Sequence, residues 1–112
     1  MSDARVPTHL WVQAHLWRCS AAGTPAYVLR KGEAQGGMVV LKVTVPFQGA
    51  KLYAQTRDLD GNLGWIAGLN GALVPEDEAG AYVDRQVKRD PDLWVIEVES
   101  RTGDNPFEGK VL

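Results

Sequence analysis

Four short strand-like segments, separated by tight turns, constrain the fold of this chain more than any other feature of its sequence. They are Ala26–Lys31, Met38–Val45, Lys51–Arg57 and Gly64–Ala67. β-Branched residues dominate the second segment, as is typical of a strand. Gly, Pro and an Asp-Gly dipeptide mark the turns. Because parallel strands require crossover connections of a dozen or more residues, these short turns predict an antiparallel meander.

A helix is predicted before the meander, over His9–Ala22. This segment contains neither Gly nor Pro, and it is followed by Gly23 and Pro25. A glycine just beyond the last helical turn, with a proline soon after it, is a standard signal for the end of a helix.

A second helix is predicted after the meander, from Pro75 to Arg89. Proline is favoured at the start of a helix, and the acidic residues 76–78 complement the positive end of the helix dipole. Lys88 and Arg89 complement the negative end, and Pro91 follows. Apolar residues at helical spacing form one stripe: Ala79, Tyr82, Val83 and Val87.

The last predicted strand, Leu93–Glu99, is apolar on both faces in its first half, so we expect it inside the sheet. The sequence does not determine which strands lie next to it, because it could pair beside the first strand or elsewhere. The element order predicts an α+β fold, with one mostly antiparallel sheet of about five strands and the two helices packed on one face. We expect a single domain over residues 9–101, with loosely ordered termini at residues 1–8 and 102–112.

Charge and cysteine content narrow the class of protein. The chain has 112 residues, a net charge of -2 and one cysteine, and its pI is about 5.6. Nucleic-acid binding relies on a basic surplus, which is missing here. A single cysteine excludes an intrachain disulfide, and no apolar run has the length of a signal peptide or a membrane span. We expect a cytoplasmic protein that binds neither nucleic acid nor membranes.

The first helix is apolar on two sides. One side carries Trp11, Val12, His15, Leu16, Cys19 and Ala22, and the second side carries Leu10, Ala14, Trp17 and Ala21. A single sheet layer covers only one side. The second side is therefore covered by a loop or the C-terminal tail, or it contacts a second copy or another protein. Tryptophan is enriched at such contacts.

His15 and Cys19 are the candidate metal or catalytic pair. Zinc requires three or four ligands, and the only other His or Cys is His9, on a different face of the helix. Nucleophilic catalysis would require an orienting third group, which the sequence does not indicate. We expect no metal and no cofactor, a buried Cys19, and a half-buried His15 with one hydrogen bond.

Asp58, Asp60 and Asn62 match alternating ligands of a calcium-binding loop. Leu63 and Leu69 stand where such a loop requires glycine and glutamate, so the match is incomplete. A hairpin turn explains the Asp-Gly dipeptide without an ion.

A ligand pocket between the sheet and the helices is the alternative to a contact surface. Pockets require convergent polar groups, and His15, Tyr53 and Glu97 are the candidates. Glu97 and Glu99 share a strand face, but a solvated strand end explains this pair. No phosphate-binding, nucleophile-elbow or zinc-protease motif is present, so the sequence assigns no enzymatic activity.

The stretches WVQAHLWRCSAAGTPAYVLRKG, GGMVVLKV, AKLY and YVDRQVKRDPDLWVIEVESR span about Leu10 to Arg101. Together they resemble a bacterial family catalogued as domain-of-unknown-function family 1491 (DUF1491), with DPDLWVIEVE as the most specific part. The resemblance implies a small single-domain protein, and it carries no activity or catalytic residue. It also implies a charged residue, typically arginine, where Trp17 stands, so Trp17 is a departure particular to this chain.

These patterns predict a non-enzymatic protein-interaction module, homodimeric or bound to another protein through the second side of its first helix. The alternative is a small-molecule-binding protein or a small enzyme.

Overall fold

The chain forms two α-helices and six strands in the computed structural model, which describes residues 6–112. In chain order the elements are α1 Thr8–Ala21, β1 Ala26–Arg30, β2 Val39–Val45, β3 Gly49–Arg57, β4 Leu63–Ala67, α2 Glu76–Arg89, β5 Trp94–Glu99 and β6 Lys110–Val111. A short 3-10 turn, Gly68–Gly71, follows β4. The predicted helices and strands are all present within two residues of their expected limits. Within residues 6–112, neither α-helix is long and apolar enough to cross a membrane.

The sheet is mixed, and its strand order is β1-β5-β2-β3-β4-β6. β2, β3 and β4 form an antiparallel meander, and β1 pairs antiparallel with β5. β5 runs parallel to β2, and β6 runs parallel to β4. The α+β class is confirmed, but the expected mostly antiparallel sheet of about five strands is wrong. The connection through α2 is long enough for a crossover, so β4 and β5 run in the same direction.

The two helices lie on opposite faces of the sheet, not on one face as expected. Leu41 and Val43 of β2 pack in one core cluster with Val12 of α1, whereas Val40 packs in a second cluster with Tyr82 of α2. Adjacent side chains of a strand point to opposite faces, so these clusters lie on the two sides of the sheet. The first halves of β2 and β5 are buried on both faces for this reason. The predicted interior position of the last strand is confirmed.

The C-terminal tail packs against the sheet, which corrects the expected loose ordering of residues 102–112. Phe107 is only 4% exposed and joins the core cluster on the α1 face. The Trp65 indole Nε1–H donates to the carbonyl oxygen of Glu108 at 3.0 Å, and the Tyr53 hydroxyl donates to that of Gly103 at 3.2 Å. β6 then pairs with β4. At the other terminus, residues 1–5 of the predicted lead-in lie outside the described residues, and Thr8 already belongs to α1.

Candidate functional site

The N-terminus of α1 is held by the loop that precedes β2. The backbone amides of Thr8 and His9 donate to the carbonyl oxygens of Gln35 and Ala34, at 3.1 and 2.9 Å. The Thr8 hydroxyl donates to the carbonyl oxygen of Gly37 at 2.8 Å. These bonds satisfy amides that a helix leaves without internal partners, and they fix where the helix begins.

The C-terminus of α1 ends at the predicted glycine. Gly23 has a φ of +75°, and its amide donates to the carbonyl oxygen of Ser20. The next amide, that of Thr24, donates to the carbonyl oxygen of Cys19 at 2.8 Å. This pair of bonds is a Schellman motif, which glycine favours because it adopts positive φ without steric cost.

The inner face of α1 is closed by an aromatic cluster of Trp11, His15, Trp65 and Phe107. The His15 ring lies 3.9 Å from the Trp11 ring and 5.0 Å from the Phe107 ring, centroid to centroid. Trp65 lies 6.3 Å from Trp11 and 6.5 Å from Phe107. These spacings lie largely within the range of favourable aromatic contacts. The cluster therefore fixes which side of α1 faces outward.

His15 is buried, 3% exposed, rather than half-buried as expected. Its Nδ1–H donates to the carbonyl oxygen of Trp11 at 2.8 Å, and its Nε2 has no partner among the described residues. Burial lowers its pKa, the Trp11 hydrogen bond raises it, and the charges of Arg18 and Glu108 act in opposite directions, with burial dominant. Burial likewise raises the pKa of the Cys19 thiol. The pair is a neutral part of the core, closed to a substrate.

Lowering the pH from about 7 to 5 is expected to reduce the free energy of unfolding through His15. The folded-state pKa lies below the ordinary value of 6.5, so the unfolded chain takes up the proton first as the pH falls. The contribution of His15 is complete above about pH 6.5 and is lost below it, by at most about 1.4 kcal/mol per pH unit. Urea denaturation across this pH range measures the slope.

His15→Phe keeps an aromatic ring in the cluster and removes the titrating group, so its slope between about pH 7 and 5 should flatten. His9→Gln, which removes the other, exposed histidine of α1, is measured alongside it as the control. A slope unchanged by His15→Phe would contradict the assignment.

The outer stripe of α1, defined as Leu10, Ala14, Trp17 and Ala21, is exposed along its whole length. Trp17 is 76% exposed and Leu10 is 47% exposed. On the other predicted side of the helix, Val12, His15 and Cys19 are buried. The C-terminal tail, which was one expected cover for Trp17, places Phe107 against the inner face instead.

The predicted pocket residues His15, Tyr53 and Glu97 are not brought together. His15 and Tyr53 lie on the α1 face, whereas Glu97 lies on the opposite face, between Ile96 and Val98 of the α1-side cluster. The Glu97 carboxylate accepts a hydrogen bond from the Thr44 hydroxyl at 2.7 Å. Burial, together with the charge of Asp104, raises the pKa of Tyr53.

Asp58 forms part of a hairpin turn. Its Oδ1 accepts hydrogen bonds from the backbone amides of Asn62 and Asp60, both at 2.9 Å, and these bonds lower the pKa of the Asp58 carboxyl. The side chain thus stabilises the β3–β4 turn in the way the Asp-Gly dipeptide predicted.

A depression of about 540 Å³ lies where β2 and β5 end and β1 begins. Its lining includes Thr24, Pro46, Glu99, Arg101, Asp104 and Pro106. The carboxyl ends of parallel strands are common ligand sites in open sheets. The sequence does not indicate this depression, because its lining comes from four separate segments and the parallel pairing of β2 and β5 has no local signal.

One protein family matches nearly the whole chain. A family model described as "Protein of unknown function (DUF1491)" matches residues 6–108. The chain belongs to the DUF1491 family. The expected resemblance is thereby confirmed over nearly the whole length of this family member.

Solved structures support the same fold for this DUF1491 protein. The crystal structure of a DUF1491 family protein from Caulobacter crescentus CB15 is similar with a TM-score of 0.84 and 32% identity, covering 96% of this chain and 100% of that one. An NMR structure of a DUF1491 family protein from the same organism is similar with a TM-score of 0.80 and 32% identity, covering 96% of each chain. The solution structure of protein Atu0922 from A. tumefaciens is similar with a TM-score of 0.73 and 26% identity, covering 86% of each chain. No curated protein matches the chain.

Proposed function

We propose that this DUF1491 protein is a non-enzymatic protein-interaction module that associates through the outer stripe of α1. The observation that carries the proposal is Trp17, a large aromatic side chain left 76% exposed on a helix whose ends and inner face are fixed. Exposed contiguous apolar surface of this kind marks contact sites. His15 and Cys19, the candidate metal or catalytic pair of the same helix, are buried on its inner side.

The chemistry of the outer stripe supports a protein contact. The central part of a protein interface is depleted of charge and enriched in aromatic residues. Arg18 is the only Asp, Glu, Lys or Arg residue in α1. Arg18 lies beside the outer stripe, where its guanidinium is 3.7 Å from the Glu108 carboxylate. The stripe itself therefore presents no charge that association would have to desolvate.

The size of the helix sets the expected strength of association. The 14 residues of α1 span about 21 Å. A contact confined to one such helix buries less than the roughly 1,600 Å² of a standard interface. We therefore expect self-association with a dissociation constant of about 10 µM or weaker.

Trp17→Glu is expected to abolish self-association and leave the monomer folded. A carboxylate placed in the stripe would have to be desolvated in the complex without a partner. Because Trp17 is mostly exposed in the monomer, the free energy of unfolding should change by no more than about 0.5 kcal/mol. Sedimentation equilibrium between about 10 µM and 1 mM measures the mass.

Phe47→Glu is the matched control, since Phe47 is an aromatic residue fully exposed in the β2–β3 turn, outside α1. The control should associate like the wild-type protein. A wild-type protein that stays monomeric throughout this range, or a Trp17→Glu variant that associates normally, would overturn self-association through α1.

A small-molecule-binding protein is the second candidate, and the depression at the ends of β2 and β5 is the observation that favours it. Its volume lies within the range of known ligand pockets. Thermal-shift screening with metabolites tests this candidate, with Arg101→Ala expected to remove any stabilisation observed. We propose a cytoplasmic location for either function, which is supported by the single, buried cysteine.

A further inference from the structure

We infer that the partner of the outer stripe is the same stripe of a second copy of this chain, crossing it antiparallel about a two-fold axis. This inference rests on the proposed function and adds the arrangement of the contact. Closed dimers form most often by such self-complementary contacts, in which each residue meets a counterpart and the counterpart meets it in return.

The spacing of the outer stripe suits helix-on-helix packing. Leu10, Ala14, Trp17 and Ala21 follow one another at intervals of four, three and four residues, the spacing of the core positions in paired helices. Such a stripe stays on one side of a helix over three turns. The helix therefore presents a straight seam to a partner.

The order of side-chain sizes selects the antiparallel direction. Along the stripe a large residue alternates with alanine: Leu10, Ala14, Trp17, Ala21. In an antiparallel pair centred between residues 15 and 16, Leu10 lies opposite the partner's Ala21, and Trp17 lies opposite the partner's Ala14. Every layer then joins one large and one small side chain, which lets the surfaces interdigitate. A parallel pair would place Trp17 against Trp17 and leave the alanines facing each other across a gap.

The charges of the helix favour the same direction. In the antiparallel pair Arg18 lies opposite the partner's uncharged Gln13, whereas a parallel pair would bring the two Arg18 side chains close together. The helix dipoles also oppose each other, so the positive end of each α1 lies beside the negative end of the other.

Exchanging the two central residues tests the arrangement. Trp17→Ala should weaken dimerisation at least tenfold, because a central tryptophan carries a large share of a contact. The double variant Ala14→Trp, Trp17→Ala restores a large-against-small layer at both positions and should recover most of that loss. Ala14→Trp alone places two tryptophans in one layer and should not dimerise better than wild type. Sedimentation equilibrium measures all three variants against the wild-type protein.

Disulfide cross-linking gives an independent readout in a Cys19→Ala background, which has no cysteine. Leu10→Cys combined with Ala21→Cys should form a covalent dimer under mild oxidation. Residues 10 and 21 of one helix lie about 16 Å apart, too far for a bond within a chain. Each single cysteine variant should stay uncross-linked, because its counterpart lies at the other end of the contact.

The outcomes separate the two proposals. A wild-type dimer that lacks both the rescue and the cross-link, or that cross-links through Ala14→Cys alone, overturns the antiparallel arrangement and leaves the contact surface standing. A wild-type protein that is monomeric throughout the measured range overturns the proposed self-association itself.

Discussion

Phe107→Ala is expected to lower the free energy of unfolding by about 3–5 kcal/mol, a large part of the stability of a domain this size. The side chain is 4% exposed and packs against Trp11, His15 and Trp65. Its removal leaves a cavity that the surrounding rings fill only in part. The tail that carries it also covers Trp65, so the loss extends to the contact between α1 and the sheet. Urea or guanidinium denaturation measures the change.

Phe47→Ala is the matched control, because Phe47 is the only other phenylalanine and is fully exposed. Its replacement should change the free energy of unfolding by no more than about 0.5 kcal/mol. A Phe107→Ala variant as stable as Phe47→Ala would show that the packing of the Phe107 side chain contributes nothing to stability.

Gly49→Ala is expected to cost roughly 3 kcal/mol or more. Gly49 begins β3 with a φ of +136°, a conformation that costs other residues about 1–3 kcal/mol. A Cβ here would also clash with the carbonyl oxygen of Val74. Overpacking of this kind adds about 1–3 kcal/mol. The clash would disturb the two backbone hydrogen bonds between Ala50 and Val74, at 2.8 and 2.9 Å. These bonds hold the segment that connects β4 to α2 against the start of β3.

Two other glycines separate these effects. Gly61 has a φ of +84°, and among the described residues no atom outside its two chain neighbours lies within 4 Å of the point that a Cβ would occupy. Gly61→Ala therefore measures backbone strain alone. Gly80 lies inside α2 and is equally open, so Gly80→Ala should stabilise the protein by about 0.5–1 kcal/mol. A loss at Gly49 no greater than that at Gly61 would contradict the clash with Val74. Urea denaturation compares the three variants: a shift in the midpoint with an unchanged m-value reports a change in stability.

The outer stripe was predictable because helical periodicity is local. Leu10, Ala14, Trp17 and Ala21 lie on one side of any helix that covers His9–Ala22, whatever the rest of the chain does. The exposure of that side was not predictable, since it depends on whether the tail or a loop covers it. The tail leaves the outer stripe uncovered because Phe107 packs on the inner side of α1. The sequence indicates this position of Phe107 only by a single aromatic residue in a polar tail.

The faces on which the predicted pocket residues lie were not predictable, for a related reason. Tyr53 and Glu97 lie on strands, and the face to which each points depends on the register of the whole sheet, because a shift of one residue reverses every side chain. The depression near Arg101 and Asp104 depends in turn on which strand ends meet at one edge. Neither property leaves a pattern in a single segment.

The sequence by itself determined the features that arise from interactions between near neighbours. These include the end of α1 at Gly23, the limits of α2 between Pro75 and Pro91, the hairpin turns, and the two apolar sides of α1. The tertiary structure alone decided that β5 lies parallel to β2, that the helices cover opposite faces, and that the tail closes the core. β2 and β5 are apolar on both faces, so their sequences do not determine which helix packs on which face. The choice therefore comes from packing between segments far apart in the chain.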